Sequence, residues 1–140
     1  METSKKANAS YYLGIDFGAA KAGIAIADSE TRIAFSYGVL KNDKDIFRKI
    51  REIVEKEGIG TIIIGNSYNL ETKLPSGNLV SKFGKLLQQK LNIPIEFQSE
   101  IYSTKLAERQ LKEKGVKGVK RFDDQEAARI ILQSWLDKKQ

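Results

Sequence analysis

The segment Tyr11–Asp28 reads YYLGIDFGAAKAGIAIAD and indicates two β-strands joined by a tight turn at Gly18. Along the first strand, apolar residues alternate with Gly14 and Asp16, so the two-residue pleat places the apolar side chains together on one face. Gly14 and Asp16 then share the opposite face. The glycine at the turn lets the chain reverse, or lets a phosphate or another backbone come close. The apolar residues of the first strand are Leu13, Ile15 and Phe17.

Asp16 is an unusual residue for an apolar strand, because a carboxylate loses hydration there and aspartate is a poor strand former. A bound cation is the simplest group that would offset this cost. The alternative interpretation is a plain hairpin in which the side chain of Asp16 caps a turn. The segment by itself leaves both interpretations open, since a short motif stays a hypothesis until its structural context is known.

The amino-acid composition limits the chemistry that this chain of 140 residues can perform. It contains no cysteine and no histidine, which excludes disulfide bonds, thiolate or histidine metal sites, and nucleophile systems that depend on histidine. Catalysis near neutral pH must therefore use carboxylates, lysine, tyrosine or a metal ion. The formal net charge of +6 favours polyanionic partners, and nucleic acid is the first of these.

The length of the chain fits one domain with a sizeable core. We expect residues 1–10, METSKKANAS, to form a disordered lead-in and residues 11–140 to form a single domain. The N-terminal segment lacks the hydrophobic stretch of a secretory signal, and no apolar run elsewhere is long enough to span a membrane. The resulting expectation is a cytoplasmic location without a membrane partner.

The middle of the chain predicts a strand, a helix and a buried strand. The first strand is predicted over Ile33–Leu40, and the helix begins at Asn42–Asp45 and is ended by Gly58 and Gly60. The run Thr61–Gly65 is β-branched and apolar throughout, which is typical of a central strand buried on both faces. The apolar stripe of the helix comprises Ile46, Ile50, Ile53 and Val54.

The rest of the chain predicts three more helices, a strand and two polar loops. In chain order these are a polar loop over Asn66–Asn78, a helix ending near Asn92–Pro94, a strand over Ile95–Gln98, a helix from Ser103 or Thr104 to about Lys114, a basic loop over Gly115–Arg121 and a helix opened by Asp123 and Asp124. The predicted core positions of the second helix are Leu79, Val80, Phe83, Leu86 and Leu87. Those of the last helix are Ala127, Ala128, Ile131, Leu132, Trp135 and Leu136.

This order of elements predicts an α/β fold. Short connections join the first three strands into an antiparallel meander, and the alternation that follows implies parallel strands with right-handed crossovers. The expected structure is a mixed five-stranded sheet, with three antiparallel and then two parallel strands, flanked by helices on both faces. In such sheets the functional crevice lies at the carboxyl ends of the parallel strands.

Three carboxylates from distant parts of the chain could meet at that edge of the sheet. Asp16 lies on the first strand, Glu100 follows the fifth strand, and Asp124 begins the last helix. Close carboxylates repel one another, and a hard divalent cation such as Mg²⁺ relieves the repulsion through oxygen ligands. Two such ions can activate a water and stabilise the leaving oxygen of a phosphodiester. Each residue also has a structural alternative, which for Asp124 is an ordinary helix N-cap.

The loop before the last helix is rich in basic residues. Lys117, Lys120 and Arg121 lie close to the proposed site in sequence and suit contacts with a phosphate backbone. The alternative is an ordinary solvated loop. Composition and spacing alone therefore leave a metal-dependent nuclease as one open hypothesis.

Four segments of the chain resemble the YqgF/RuvX family of RNase H-like proteins, whose members are assigned as Holliday junction resolvases and as pre-16S rRNA processing nucleases. The resemblance covers about Tyr12–Asp137. The segments are LGIDFGAAKAGIAIAD, TIIIGNSYNL, SEIYSTKLAERQL and DQEAARIILQSWLD. The first and last are the more specific in order and spacing.

The resemblance implies roles for particular residues. Asp16, Glu100 and Asp124 correspond to the family's catalytic carboxylates and would also bind Mg²⁺ or Mn²⁺. Lys21 keeps a positive charge close to the first motif, and Asn69 matches the family's loop asparagine. Together with the basic loop, these two residues are the expected nucleic-acid contacts.

The chain departs from the family pattern around these carboxylates. Ile101 stands where the family has an arginine, Ser99 where it has an aspartate and Ser67 where it has a proline. Ala19 and Ala20 replace the threonine and the basic residue that are usual after Gly18. The predicted carboxylates are therefore retained while their usual polar surroundings are reduced.

The resemblance implies a metal-dependent endonuclease acting on structured RNA, in processing of the 5′ end of pre-16S rRNA and in contact with ribosomal precursor particles. One alternative is a resolvase that cuts four-way DNA, which needs a homodimer, so a monomer would argue against it. Another is a nucleic-acid-binding protein without catalysis. A phosphotransferase resembling actin-like ATPases would need a second lobe to enclose ATP.

Overall fold

The computed structural model describes residues 10–66, 68–69, 74–75, 77–99 and 124–138. The strands are β1 (Tyr11–Phe17), β2 (Lys21–Asp28), β3 (Ala34–Lys41), β4 (Ile59–Asn66), β5 (Tyr68–Asn69), β6 (Leu74–Pro75) and β7 (Ile95–Ser99). The helices are α1 (Ile46–Glu57), α2 (Gly77–Leu91) and α3 (Asp124–Lys138). Within this described part of the chain, no helix has the length and apolar character needed to cross a membrane. Apart from Ser10, the predicted lead-in lies outside the described residues, and so do the predicted helix from Ser103 or Thr104 and the basic loop.

The main sheet has five strands in the order β3-β2-β1-β4-β7. β2 pairs antiparallel with both β1 and β3, whereas β4 pairs in parallel with both β1 and β7. The sequence run of isoleucines places β4 inside the sheet, where both faces are covered. The sheet confirms the predicted arrangement of three antiparallel strands followed by two parallel ones.

The side chains of β1 divide the core into two layers, as the alternation predicts. Its apolar residues pack with buried side chains of α1 and α2 on one face of the sheet. The opposite face is covered by α3, whose buried residues pack against Ile63 of β4 and alanines of β2 and β3. Burial of each large apolar side chain stabilises the fold by about 1.5–3 kcal/mol. The predicted stripe of α3 is buried throughout, namely Ala127, Ala128, Ile131, Leu132, Trp135 and Leu136.

Two glycines allow α3 to lie close to the sheet. A Cβ atom on Gly14 would be 2.8 Å from the Cβ of Leu132 and 3.2 Å from the backbone oxygen of Ala128. A Cβ atom on Gly65 would overlap the side chain of Ile131. The absence of side chains at these two positions therefore sets the distance between α3 and the strands β1 and β4.

The end of α1 follows the sequence prediction in part. Gly58 adopts a left-handed conformation with φ 73°, and its N–H donates to the carbonyl of Val54 at 3.0 Å. Glycine is suited to this position because it has no Cβ penalty at positive φ. The prediction that Gly60 also ends the helix is wrong, because β4 already begins at Ile59 and Gly60 is its second residue.

The predicted loop Asn66–Asn78 is wrong in part. Within it, β5 and β6 pair antiparallel as a small second sheet, and α2 begins at Gly77. Pro75 is tolerated in β6 because a short strand at a sheet edge does not need every backbone donor. Leu86 is also not a core position, since it is 45% exposed. It lies at the margin of the stripe that buries Val80, Phe83 and Leu87.

Candidate active site

Asp16 lies near the carboxyl end of the central strand β1, on the face that α3 covers. It is level with Gly23 of β2 and with Gly65 of β4. Neither neighbouring strand therefore contributes a side chain at this level. The Asp16 side chain is partly buried, and its Oδ1 atom is closed to solvent.

Contacts along β1 fix the direction of α3. The rings of Tyr12 and Trp135 meet edge to face, with their centroids 5.0 Å apart. Two residues further along β1, Gly14 faces the backbone of Ala128, which lies two helical turns before Trp135. The helix consequently runs antiparallel to β1, and its N-terminal turn points toward the carboxyl end of that strand.

This direction relates Asp16 to the start of α3. Asp16 lies two residues beyond Gly14, or about 7 Å along the strand. Asp124, the first residue of α3, lies four residues before Ala128, or about 6 Å along the helix axis. From the contact between Gly14 and Ala128, the backbones of β1 and α3 therefore both extend toward the same edge of the sheet. The convergence of the carboxylates themselves stays a prediction.

The turn that follows β1 is held by a residue that sequence reasoning assigned to another role. Asn42 donates from Nδ2 to the carbonyl of Gly18 at 2.7 Å, and its backbone N–H donates to the carbonyl of Ala20 at 2.9 Å. The sequence pattern predicts that Asn42 contributes to the start of α1. Its actual contact joins the end of β3 to the turn beside Asp16. The sequence offers no signal for this, because the two segments are brought together only by the β2–β3 pairing.

Gln98 is a second residue that the sequence analysis did not select. Gln98 lies in β7 and is level with Gly65 of β4, which is in turn level with Asp16 of β1. The three residues therefore form one row across the sheet. The Gln98 side chain is only 4% exposed, and its Oε1 accepts from Lys138 Nζ at 3.5 Å. The Gln98 Nε2 donor has no hydrogen-bond partner within the described structure. Glu100 follows two positions later in the sequence.

The structure describes some of the remaining predicted site residues and not others. Lys21 is the first residue of β2 and is exposed. Asn69 lies in β5, level with Leu74 of β6. Glu100 and the three basic loop residues, which are Lys117, Lys120 and Arg121, lie outside the described residues. The predicted nucleic-acid contacts on that loop therefore stay predictions.

The described side chains do not by themselves include a metal-binding group, since no cluster of three or more aspartate, glutamate, histidine or cysteine residues occurs among them. Asp16 is the member of the predicted carboxylate set whose side chain the structure describes. A partly buried carboxylate fits a hard cation in its chemistry, because Mg²⁺ and similar ions prefer oxygen ligands. With no histidine or cysteine in the chain, an oxygen donor set is the relevant one.

Solved structures share this architecture. RuvC from T. thermophilus in complex with a Holliday junction substrate matches with a TM-score of 0.57 and 14% identity, over 93% of this chain and 95% of that chain. The Fowlpox virus resolvase with Holliday junction DNA matches with a TM-score of 0.53 and 12% identity, over 92% and 98%. The large terminase nuclease of phage G20c matches with a TM-score of 0.53 and 14% identity, over 91% of this chain and 83% of that chain. The fold, with an aspartate on its central strand, is therefore the RNase H-like fold that the sequence predicts.

Sequence comparison makes the assignment more specific. Residues 10–138 match the family described as "RuvX: Holliday junction resolvase", and the chain belongs to this family. A relative from Maridesulfovibrio salexigens, named "Putative pre-16S rRNA nuclease", is 36% identical over 89% of this chain and 96% of its own length. A relative of the same name from Synechocystis sp. is 33% identical, over 89% and 86%. The family and its relatives are thus named as enzymes that hydrolyse phosphodiester bonds.

Proposed function

We propose that this protein is a divalent-metal-dependent endonuclease that acts in processing of the 5′ end of pre-16S rRNA. The names of its relatives support this substrate, since two of them match at 33–36% identity over 86–96% of their own length. The position of Asp16 supports the chemistry. It is a partly buried carboxylate at the carboxyl end of the central strand, where α/β sheets place their functional crevice.

Asp16, Glu100 and Asp124 would hold the cation, with Mg²⁺ or Mn²⁺ as the suitable ions. Such an ion supplies an activated water and a counter-charge for the leaving oxygen of the phosphodiester. In this proposal the oxygen ligands come from three distant parts of the chain. No side chain of this chain has an unperturbed pKa near 7, because it contains no histidine. A protein general base is therefore not part of the proposal.

A four-way DNA junction is the second candidate substrate. The description of the family as a Holliday junction resolvase favours it. Symmetric cutting of a junction requires two active sites related by a two-fold axis, and hence a homodimer. A monomer in solution would therefore argue against this candidate, and the oligomeric state should be measured.

The test is cleavage of a precursor 16S rRNA fragment and of a four-way DNA junction, each with Mg²⁺, with Mn²⁺ and with EDTA. We expect metal-dependent cleavage of the RNA by the wild-type protein. Asp16→Asn keeps the shape of the side chain but removes one ligand charge, so it should abolish cleavage with folding nearly intact. Asp137→Asn, at the exposed far end of α3, makes the same chemical change and should cleave normally.

Nucleic-acid binding gives an independent readout for the same variant. Without metal, Asp16→Asn should bind RNA as well as wild type or more tightly, because one charge that repels phosphate is removed. Full activity of Asp16→Asn, or undiminished wild-type cleavage in EDTA, would refute the mechanism. Binding without cleavage under every condition would favour a non-catalytic protein instead.

A further inference from the structure

We propose that Gln98 is a positioning residue of the proposed cation site, and that its Nε2 donates a hydrogen bond to a carboxylate that ligates the ion. This inference deepens the proposed function and rests on it. An amide nitrogen is a donor and does not itself ligate a cation. Gln98 would therefore act through the carboxylate, by holding it in the orientation that the ion needs.

Gln98 carries a buried amide with one unused donor. Its side chain is 4% exposed, and its Oε1 accepts from Lys138 Nζ at 3.5 Å. An ammonium group can only donate, so this contact identifies the oxygen of the amide and leaves Nε2 on the other branch. Nε2 is closed to solvent and has no hydrogen-bond partner in the part of the chain that the structure describes.

This unused donor is unfavourable unless an acceptor reaches it. A buried donor without an acceptor has lost its hydration and gained nothing in return, so native proteins contain few of them. An apolar side chain of similar length would avoid the cost at the same position. The amide at Gln98 therefore indicates an acceptor that comes with a bound group.

Gln98 lies on the same face of the sheet as Asp16, two strands away. Trp135 of α3 donates from Nε1 to Oε1 of Glu96 at 3.0 Å, so Glu96 is on the face that α3 covers. Gln98 is two residues further along β7, and the pleat puts it on this face as well. The row through Gly65 corresponds to about 10 Å between the Cα positions of Asp16 and Gln98. A carboxylate that ligates an ion held by Asp16 can therefore also accept from Gln98.

That carboxylate is not Asp16 itself. The side chain of Ile131 lies over Gly65 and so separates Gln98 from Asp16. The other predicted ligands are Glu100 and Asp124, and Glu100 follows Gln98 by two positions in the sequence. Carboxylates repel one another until a cation draws them together. The acceptor for Nε2 would therefore arrive with the ion, and the hydrogen bond would favour the ion-bound protein.

The test is Mn²⁺ binding by Gln98→Met, measured by titration calorimetry on the full chain without nucleic acid. Methionine has a similar length but no donor. Groups that hydrogen-bond to metal ligands usually change metal affinity 10–100-fold, so we expect the Mn²⁺ affinity to fall about 10-fold or more. In EDTA, the urea midpoint should equal or exceed that of wild type, because an apolar group replaces an unused buried donor.

Two control variants isolate the donor. Gln89→Met makes the same change at an exposed glutamine of α2, on the other face of the sheet, and should bind Mn²⁺ normally. Lys138→Met removes the contact at Oε1 but keeps Nε2. It should bind Mn²⁺ as well as wild type or slightly better, because one positive charge is gone.

Three results would overturn the inference. The first is an unchanged Mn²⁺ affinity of Gln98→Met. The second is a lower urea midpoint of this variant in EDTA, which would show that Nε2 already has a partner and that the glutamine is merely structural. The third is an equal loss of Mn²⁺ affinity by Lys138→Met, which would assign the effect to Oε1.

The same measurements separate this inference from the proposed function. Cleavage by wild type together with normal Mn²⁺ binding by Gln98→Met would refute the positioning role and leave the nuclease intact. Weakened Mn²⁺ binding by Gln98→Met, without cleavage by wild type, would support the positioning role and refute the nuclease. Absence of Mn²⁺ binding by wild type would refute both.

Discussion

Gly14 of β1 and Leu132 of α3 lie so close that a Cβ atom on the glycine would be 2.8 Å from the Cβ of the leucine. Protein Cβ atoms do not approach so closely, and the backbone oxygen of Ala128 would be only 3.2 Å away. The contact is between a strand backbone and the Cβ atom of a buried side chain, so a change of rotamer cannot relieve it. The seating of α3 on the sheet therefore depends on this glycine.

Gly14→Ala should destabilise the protein by about 1–3 kcal/mol, the usual cost of overfilling a packed core. Urea unfolding at pH 7 measures this change. Trp135 is the single tryptophan of the chain and lies buried on α3, so its emission also reports displacement of the helix. Gly38→Ala is the control, because an added Cβ there meets nothing within 4 Å. Equal stability of the two variants would contradict this account of the packing.

Tyr37→Phe should lower stability by about 1 kcal/mol at pH 7 through loss of one hydrogen bond. The Tyr37 hydroxyl donates to Oε2 of Glu57 at 2.8 Å and so joins β3 to the end of α1. Burial, the hydrogen bond to Glu57 and its negative charge raise the pKa of Tyr37 above 10.0 in the folded protein. Folding therefore favours the neutral phenol.

The pH dependence of this effect has a definite sign. Because the folded pKa of Tyr37 is the higher one, its contribution is fully present below about pH 10 and is lost as the pH rises through the folded pKa. The stability difference between wild type and Tyr37→Phe should thus shrink above pH 10. Urea unfolding at pH 7, 9 and 10.5 tests this, and a difference that grows with pH would contradict it.

Asn42→Ala should reduce cleavage more than its effect on stability explains. The loss of the Nδ2 hydrogen bond to Gly18 costs about 0.5–1.5 kcal/mol, which leaves most molecules folded. The turn after Asp16 would then be held less firmly. Single-turnover cleavage at a temperature where both proteins are folded measures the effect. A single-turnover cleavage rate unchanged from wild type would show that Asp16 acts independently of Asn42.

Replacement of Lys117 and Lys120 by alanine should weaken RNA binding about equally across sequences. The basic loop has lysines and glycines but no aromatic side chain between Gly115 and Arg121, so phosphate contacts are expected and base stacking is not. The salt slope of binding should fall as well. Filter binding with several unrelated RNA sequences measures both quantities, and a sequence-selective loss would count against the prediction.

The local pattern predicts the elements of this protein better than it predicts their meeting points. The alternation around Asp16 identifies both faces of β1, and Gly58 marks the end of α1, because pleat and helix capping depend on neighbouring residues alone. The predictions that Gly60 ends the helix and that Leu86 is a core position are wrong because they, too, use neighbouring residues alone. A glycine after a helix also fits a strand, and only the assembled sheet shows how wide a helical stripe is buried.

The candidate site required contacts that no local pattern contains. The row of Asp16, Gly65 and Gln98 depends on the register of three strands, and the bond from Asn42 to Gly18 depends on a fourth. The carboxylate at Asp16 could be selected because it is out of place in an apolar strand. Gln98 could not, since a glutamine in a strand is unremarkable until its burial is known.

The covering of β1 by α3 also has a consequence for biosynthesis. Arg32 donates from Nη2 to the carbonyl of Leu136 at 2.7 Å across 104 positions of the chain, and Gly14 meets Leu132 across a still longer separation. Contacts so distant in sequence form late and cannot form on a partial chain. While the ribosome is still translating the residues before α3, one face of the nascent sheet stays uncovered. The proposed nuclease would therefore remain inactive until α3 has been translated.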